Sequence, residues 1–127
     1  MKGNMKFDEA SNKVIGCAIE VHRELGPGLL ESAYAQCLAR ELTLKGIAFE
    51  LQKPMPVEYK GVQIDCGYRL DLVVDGQIIL ELKALAAIEP IHEAQMLTYM
   101  KSAKVRTGLL INFNVGLLKD GIKRFMK

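Results

Sequence analysis

The stretch Arg69-Leu70-Asp71-Leu72-Val73-Val74-Asp75-Gly76-Gln77-Ile78-Ile79-Leu80-Glu81-Leu82-Lys83 decides how the chain is read. Two apolar runs flank Asp75-Gly76, a strong short-range hairpin signal. Each run is interrupted with the period of a strand. Asp71 lies between Leu70 and Leu72, and Glu81 and Lys83 alternate with Leu80 and Leu82, so that one face is apolar and the other carries an acid and an amine. Register decides whether the two carboxylates meet. A two-residue loop, Asp75-Gly76, sets Asp71 opposite Leu80 and sends Glu81 to the other face. A three-residue loop, Val74-Asp75-Gly76, puts Arg69, Asp71, Glu81 and Lys83 on one face, with glycine at the loop position that favours a left-handed backbone. Both registers are open to this sequence, and only the second builds a site.

Upstream, the apolar period becomes helical. Val14, Ala18, Val21 and Leu25 recur beside Ile15 and His22, with Asp8 or Ser11 as the cap and Gly26-Pro27-Gly28 as the break. A second helix is predicted from Leu30 to Lys45, with Leu30, Tyr34, Cys37, Leu38 and Leu42 on one face and Gly46 as its stop. Phe49, Leu51, Met55, Val57 and Tyr59 then alternate, and Pro54 and Pro56 confine that segment to an edge. Lys60-Gly61 turns the chain into Val62-Gln63-Ile64. Downstream of Lys83, Pro90 opens a third helix to Ser102, Thr107–Phe113 reads as a buried strand, and Ile122–Met126 as a last one. The order ααβββαβ, with a final strand, is that of an α/β protein: a small mixed sheet flanked by helices.

The chain's 127 residues suit a single domain spanning 1–127. Half are hydrophobic and a quarter charged, which excludes a disordered chain. Trp is absent and aromatics are few, so the core is aliphatic. No apolar run approaches the roughly 20 residues of a membrane span, and Met1-Lys2-Gly3-Asn4 does not open a signal peptide. The expected setting is cytoplasmic, with no membrane partner. Cys17, Cys37 and Cys66 form no Cys-x-x-Cys pair and complete no metal spacing with His22 or His92, so buried free thiols are expected. The net charge of +2 conceals an asymmetry. Residues 1–100 carry 10 basic against 14 acidic residues, whereas residues 101–127 carry seven basic residues against Asp120. Such an end is either a solvated face or a contact for a polyanion.

Asp71 with Glu81-Leu82-Lys83 resembles the bipartite signature of the PD-(D/E)xK nuclease superfamily, with Leu70 standing where the superfamily's name has Pro. Gly28-Leu29-Leu30-Glu31-Ser32-Ala33-Tyr34 resembles the G-x-x-E-x-x-Y motif of a family of small proteins placed in that superfamily. Gln95-Met96-Leu97-Thr98-Tyr99 resembles the Q-x-x-x-Y helix motif of its exonuclease-like branch. The three motifs occur in the family's order and cover nearly the whole chain. The resemblance implies a restriction-endonuclease-like core and a nuclease that hydrolyses DNA phosphodiester bonds with Mg²⁺ or Mn²⁺.

In that resemblance Glu31, Asp71 and Glu81, with the backbone carbonyl of Leu82, hold the metal, and Lys83 completes the catalytic set. Elementary electrostatics supports the grouping: two carboxylates about 4 Å apart repel by ~4 kcal/mol at an effective dielectric near 20, so three converge only around a cation. All-oxygen ligation favours Mg²⁺ or Mn²⁺. Lys83 would orient the attacking water and offset charge on phosphorus. His92, Gln95 and Tyr99 fall on one helix face, where Gln95 and Tyr99 would hold the carboxylates or a substrate phosphate and His92 would meet phosphate or solvent. Arg69 would contact phosphate or pair with a sheet carboxylate. Tyr34 would pack with its hydroxyl at the site edge, and Gly28 would serve backbone geometry. Two other classes compete: a catalytically silent nucleic-acid- or metal-binding module on the same fold, and a protein-interaction domain with a structural charged face. The chain carries no separate recognition domain, so sequence selectivity would require a homodimer or a larger protein partner.

Overall fold

In the computed structural model, which describes residues 2–127 and side chains from Glu9 onward, the elements run α1 (Lys2–Leu25), α2 (Glu31–Leu44), β1 (Phe49–Pro54), β2 (Val57–Tyr59), β3 (Val62–Ile64), β4 (Arg69–Val74), β5 (Ile78–Lys83), α3 (Pro90–Ala103), β6 (Thr107–Asn112), a 3₁₀ turn (Leu118–Gly121) and β7 (Ile122–Met126). Five strands form a mixed sheet in the order β1-β4-β5-β6-β7, and β2 and β3 form a separate hairpin. Only the β5–β6 pair, joined through α3, is parallel. This is the mixed α/β architecture the element order implies, with β1 at the edge its prolines require.

The β4–β5 turn combines features of both registers. The Gln77 N–H donates to the Val74 carbonyl at 2.9 Å, closing a turn whose central residues, Asp75 and Gly76, have φ of 53° and 64°. Positive φ at both positions is the reason for the Asp-Gly pair. The strand partners are Val74–Ile78, Val73–Ile79 and Leu72–Leu80, so the extra residue is Gln77 on the returning strand. The predicted loop, Val74-Asp75-Gly76 with glycine last, is therefore displaced by one residue. Parity is preserved, because one inserted residue on either side turns Asp71 and Glu81 to the same face.

Both faces of the sheet are covered. Leu72, Val74, Ile78, Leu80, Leu82, Leu109 and Ile111 pack against Val14, Ala18, Val21, Leu38 and Leu42 of α1 and α2. On the other side, Val73, Ile79 and Leu110 meet Met96 and Met100 of α3. Each fully buried Leu or Ile adds about 1.5–3 kcal/mol. Gly108 lets α3 approach β6, since a Cβ there would stand 2.5 Å from the Met96 sulfur.

Several expectations are corrected. α1 begins at Lys2, so Ser11 is a buried mid-helix residue and caps nothing, while the side chain of Asp8 lies outside the described residues. The buried face of α2 is Tyr34, Ala35, Leu38, Ala39 and Leu42, leaving Leu30 and Cys37 in solvent. All three cysteines are free, but only Cys17 is buried. Phe49–Tyr59 divides after Pro54, because β2 leaves the main sheet to pair with β3. Of the basic C-terminal residues, Lys123 pairs with Glu93 at 2.8 Å and Arg124 bonds Asn12.

Candidate functional site

Backbone pairing between β4 and β5 extends from the hairpin to Leu72–Leu80, while β5 stays paired to β6 along its full length and β4 to β1 on both sides of Asp71. Where the ladder stops, two carboxylates replace it. The Asp71 N–H donates to Glu81 Oε2 at 3.0 Å, and the Leu82 N–H donates to Asp71 Oδ2 at 2.7 Å. Each acid thus accepts from the backbone of the opposite strand. The exchange satisfies amides that would otherwise be orphaned in the sheet interior.

Neither acid is at ease there. Glu81 is only 7% exposed, and burial, followed by the charge of Asp71, pushes it up from 4.5 to about 7. Burial also raises Asp71, against the lowering effects of the Leu82 amide and Lys83. Lys83, half-buried at the end of β5, is the cation that favours the ionised form of both acids. Glu31 in the first turn of α2 adds repulsion to both. Among the described residues no three acidic, histidine or cysteine side chains are grouped closely enough to hold an ion as they stand. The structure therefore brings Asp71, Glu81 and Lys83 together, with Glu31 acting on them from a solvent-exposed position at the rim.

The G-x-x-E-x-x-Y spacing has a mechanical explanation. Gly28 takes φ +103° in the loop before α2, a backbone open to glycine at little cost. Tyr34, fully buried, donates its hydroxyl to the Gly26 carbonyl at 2.6 Å and accepts from the Leu29 N–H at 3.1 Å. Its ring stacks on Phe113 at 4.3 Å. The hydroxyl is thus occupied in the loop that leads into Glu31. It fixes the turn from which Glu31 emerges.

On α3, Gln95 and Tyr99 line a cleft between that helix and the β1–β2 corner, and the charges of Glu81 and Asp71 help burial raise Tyr99. Among the described residues neither side chain donates a hydrogen bond to the two acids. His92 is committed elsewhere: its Nδ1 accepts from the Glu89 N–H at 2.8 Å in a reciprocal N-terminal cap. Arg69 pairs neither with Asp71 nor with Glu81. Its guanidinium reaches the Tyr68 carbonyl and, at 4.0 Å, the loop acid Asp65.

Two residues escaped the sequence reading. Gln52 stands opposite Asp71 on β1, favours the ionised form of its carboxyl, and holds a left-handed backbone (φ 52°) that interrupts the β1–β4 pairing. A non-glycine residue in that region is strained and concentrates at functional sites. No local signal marks a glutamine between Leu51 and Lys53. Asn112, buried at the end of β6, accepts from the Leu85 N–H at 3.0 Å and donates to the Leu85 carbonyl at 2.9 Å. With the Phe113 N–H donating to the Lys83 carbonyl at 2.9 Å, it anchors the chain immediately after Lys83.

The family model of the PD-(D/E)XK nuclease superfamily matches residues 8–125. The chain belongs to that superfamily. No curated protein and no solved structure matches it. Membership supports a nuclease-type function and, with it, contact with nucleic acid. PD-(D/E)XK nucleases generally use divalent metal ions, and the donors here suit one: two buried carboxylates raised by desolvation and mutual repulsion gain from a hard cation. Among the described residues no helix is long and apolar enough to cross a membrane.

Proposed function

We propose that the chain is a Mg²⁺- or Mn²⁺-dependent nuclease that hydrolyses DNA phosphodiester bonds, in the manner of the superfamily's exonuclease-like branch and within its GxxExxY family. The observation that carries this reading is the opposed pair Asp71 and Glu81 with Lys83 on the same strand end. Asp71, Glu81 and the Leu82 carbonyl, joined by Glu31 from the rim, are the residues that would hold the cation. When bound, it supplies Lewis-acid polarisation of a phosphodiester oxygen and a more acidic water.

The protein's own groups do the rest. Lys83 orients the water and offsets negative charge growing on the phosphoryl oxygens. Gln52 and the crossed amides keep Asp71 aimed, and Asn112 keeps the end of β5 from drifting. Gln95 and Tyr99 face incoming phosphate from α3. Burial strengthens each of these interactions by excluding water. Sequence selectivity on DNA would come from a second copy or a protein partner, and a cytoplasmic setting accords with the three free thiols.

A second reading, a binding module without turnover, is favoured by the absence of a three-acid grouping among the described residues. Incubating the purified protein with labelled DNA in Mn²⁺, Mg²⁺ or EDTA separates the two. Cleavage that EDTA stops supports the nuclease, and metal-dependent DNA binding without products supports the module.

A further inference from the structure

A cleft of about 770 Å³ lies between α3 and the β1–β2 corner, lined among others by Lys53, Tyr68, Gln95, Tyr99, Lys101 and Lys104, and Tyr99 connects it to the carboxylate pair. Its lining includes three lysines against one acid, Glu58. Lys101 and Lys104 are exposed and form no ion pair among the described residues, whereas Lys53 pairs with Glu50 at 3.2 Å. Tyr68, 49% exposed, stands 6.4 Å from Tyr99, ring centre to ring centre and tilted by 57°. Tyr99 in turn lies within the field of Glu81 and Asp71. Aromatic faces beside a lysine-lined channel are the elements of a single-strand track, where rings stack on bases and ammonium groups follow the backbone. The cleft has the volume of a small-ligand pocket.

We propose that this cleft admits DNA as a single strand, with bases against Tyr68 and Tyr99 and phosphates along Lys101 and Lys104, and delivers it to Asp71 and Glu81. The inference rests on the reading of those acids as a phosphodiester-cleaving site, and it names the form of substrate that site takes.

The test is fluorescence anisotropy of the full chain in EDTA with two probes, a labelled ten-residue oligo(dT) and a blunt 20-base-pair duplex. The single strand is expected to bind at least tenfold more tightly. Tyr68→Ala should weaken it about tenfold, Tyr68→Phe should retain it, and Lys101→Ala with Lys104→Ala should flatten the logarithmic salt slope by about 1.4. All these positions are on the surface, and circular dichroism checks that each variant is folded. Equal or tighter duplex binding, no binding of either probe, or oligo(dT) affinity indifferent to Tyr68→Ala would overturn the proposal. Failure of the cleavage reading is separate: oligo(dT) binding with this variant pattern but no cleavage in Mn²⁺ leaves the cleft standing, whereas metal-dependent cleavage of duplex with groove variants indifferent removes the cleft alone.

Discussion

Asp71 and Glu81 close the gap between β4 and β5 by accepting from each other's strands, Glu81 from the Asp71 amide at 3.0 Å and Asp71 from the Leu82 amide at 2.7 Å. The same bonds that complete the sheet hold two like charges together in its interior. That conflict has measurable consequences.

The first is a pH dependence of stability without divalent ions. Folded Glu81 titrates near 7 against 4.5 for an unperturbed glutamate. Across that window the folded state holds a proton that the unfolded chain has lost, so stability is greatest at the acid end, falls as pH rises, and levels off above about 7. At 1.36 kcal/mol per pKa unit the loss is of order 3 kcal/mol, and Asp71 acts in the same direction. Urea unfolding in EDTA from pH 5 to 8.5 should show the decline. Glu81→Gln should remove most of it and be the more stable protein at pH 8. Stability that rose over this interval would contradict the buried pair.

Gln52 tests whether strain serves the site. Its left-handed backbone costs about 1–2 kcal/mol that glycine would not incur, while its amide supports the Asp71 carboxyl. Gln52→Gly should therefore leave the thermal midpoint equal or higher and lower metal affinity about tenfold, read by calorimetric titration with Mn²⁺. A lower midpoint with unchanged Mn²⁺ affinity would show that Gln52 matters to the sheet alone.

Tyr34 acts at a distance through its loop. Tyr34→Phe keeps the Phe113 stack but removes bonds to the Gly26 carbonyl and the Leu29 amide. The expected cost is about 1–2 kcal/mol, with a several-fold loss of Mn²⁺ affinity as Glu31 loses its fixed origin. Glu31→Gln should reproduce the affinity loss without the stability loss.

Asn112 anchors the segment that follows Lys83. Asn112→Ala strands the Leu85 amide and leaves its carbonyl only the longer bond from the Asn114 side chain at 3.3 Å, at about 1–3 kcal/mol. Cleavage should fall further than Mn²⁺ binding, because Lys83 moves more than the acids do. Equal losses in both would place Asn112 in general stability only.

Much of this was legible because it rests on short-range rules. Asp75-Gly76 announces a hairpin, and alternation places Asp71 and Glu81 with apolar neighbours on either side. The exact loop was not legible, since the inserted residue sits on β5 as Gln77 rather than on β4. Gly28, Glu31 and Tyr34 were visible as a spacing, but the work of the Tyr34 hydroxyl depends on the path of the preceding loop. His92 shared a face with Gln95 and Tyr99, yet its nitrogen went to the Glu89 amide, a local bond that outcompeted the site. Gln52 and Asn112 act through partners far along the chain, and no periodicity announces such bonds. Two-sided burial of the sheet explains the near-continuous apolar run of β5, but not that polar residues at its end would face α3.

The most direct test of the central claim compares wild type with Lys83→Ala on labelled single-stranded DNA at saturating Mn²⁺, after calorimetry has established that both bind the ion equally. Wild type should release products in a reaction that EDTA stops, and Lys83→Ala should slow it at least a hundredfold. Products formed by Lys83→Ala at the wild-type rate, or none formed by metal-loaded wild type on any DNA, would contradict the assignment of Asp71, Glu81 and Lys83 as a phosphodiester-cleaving site.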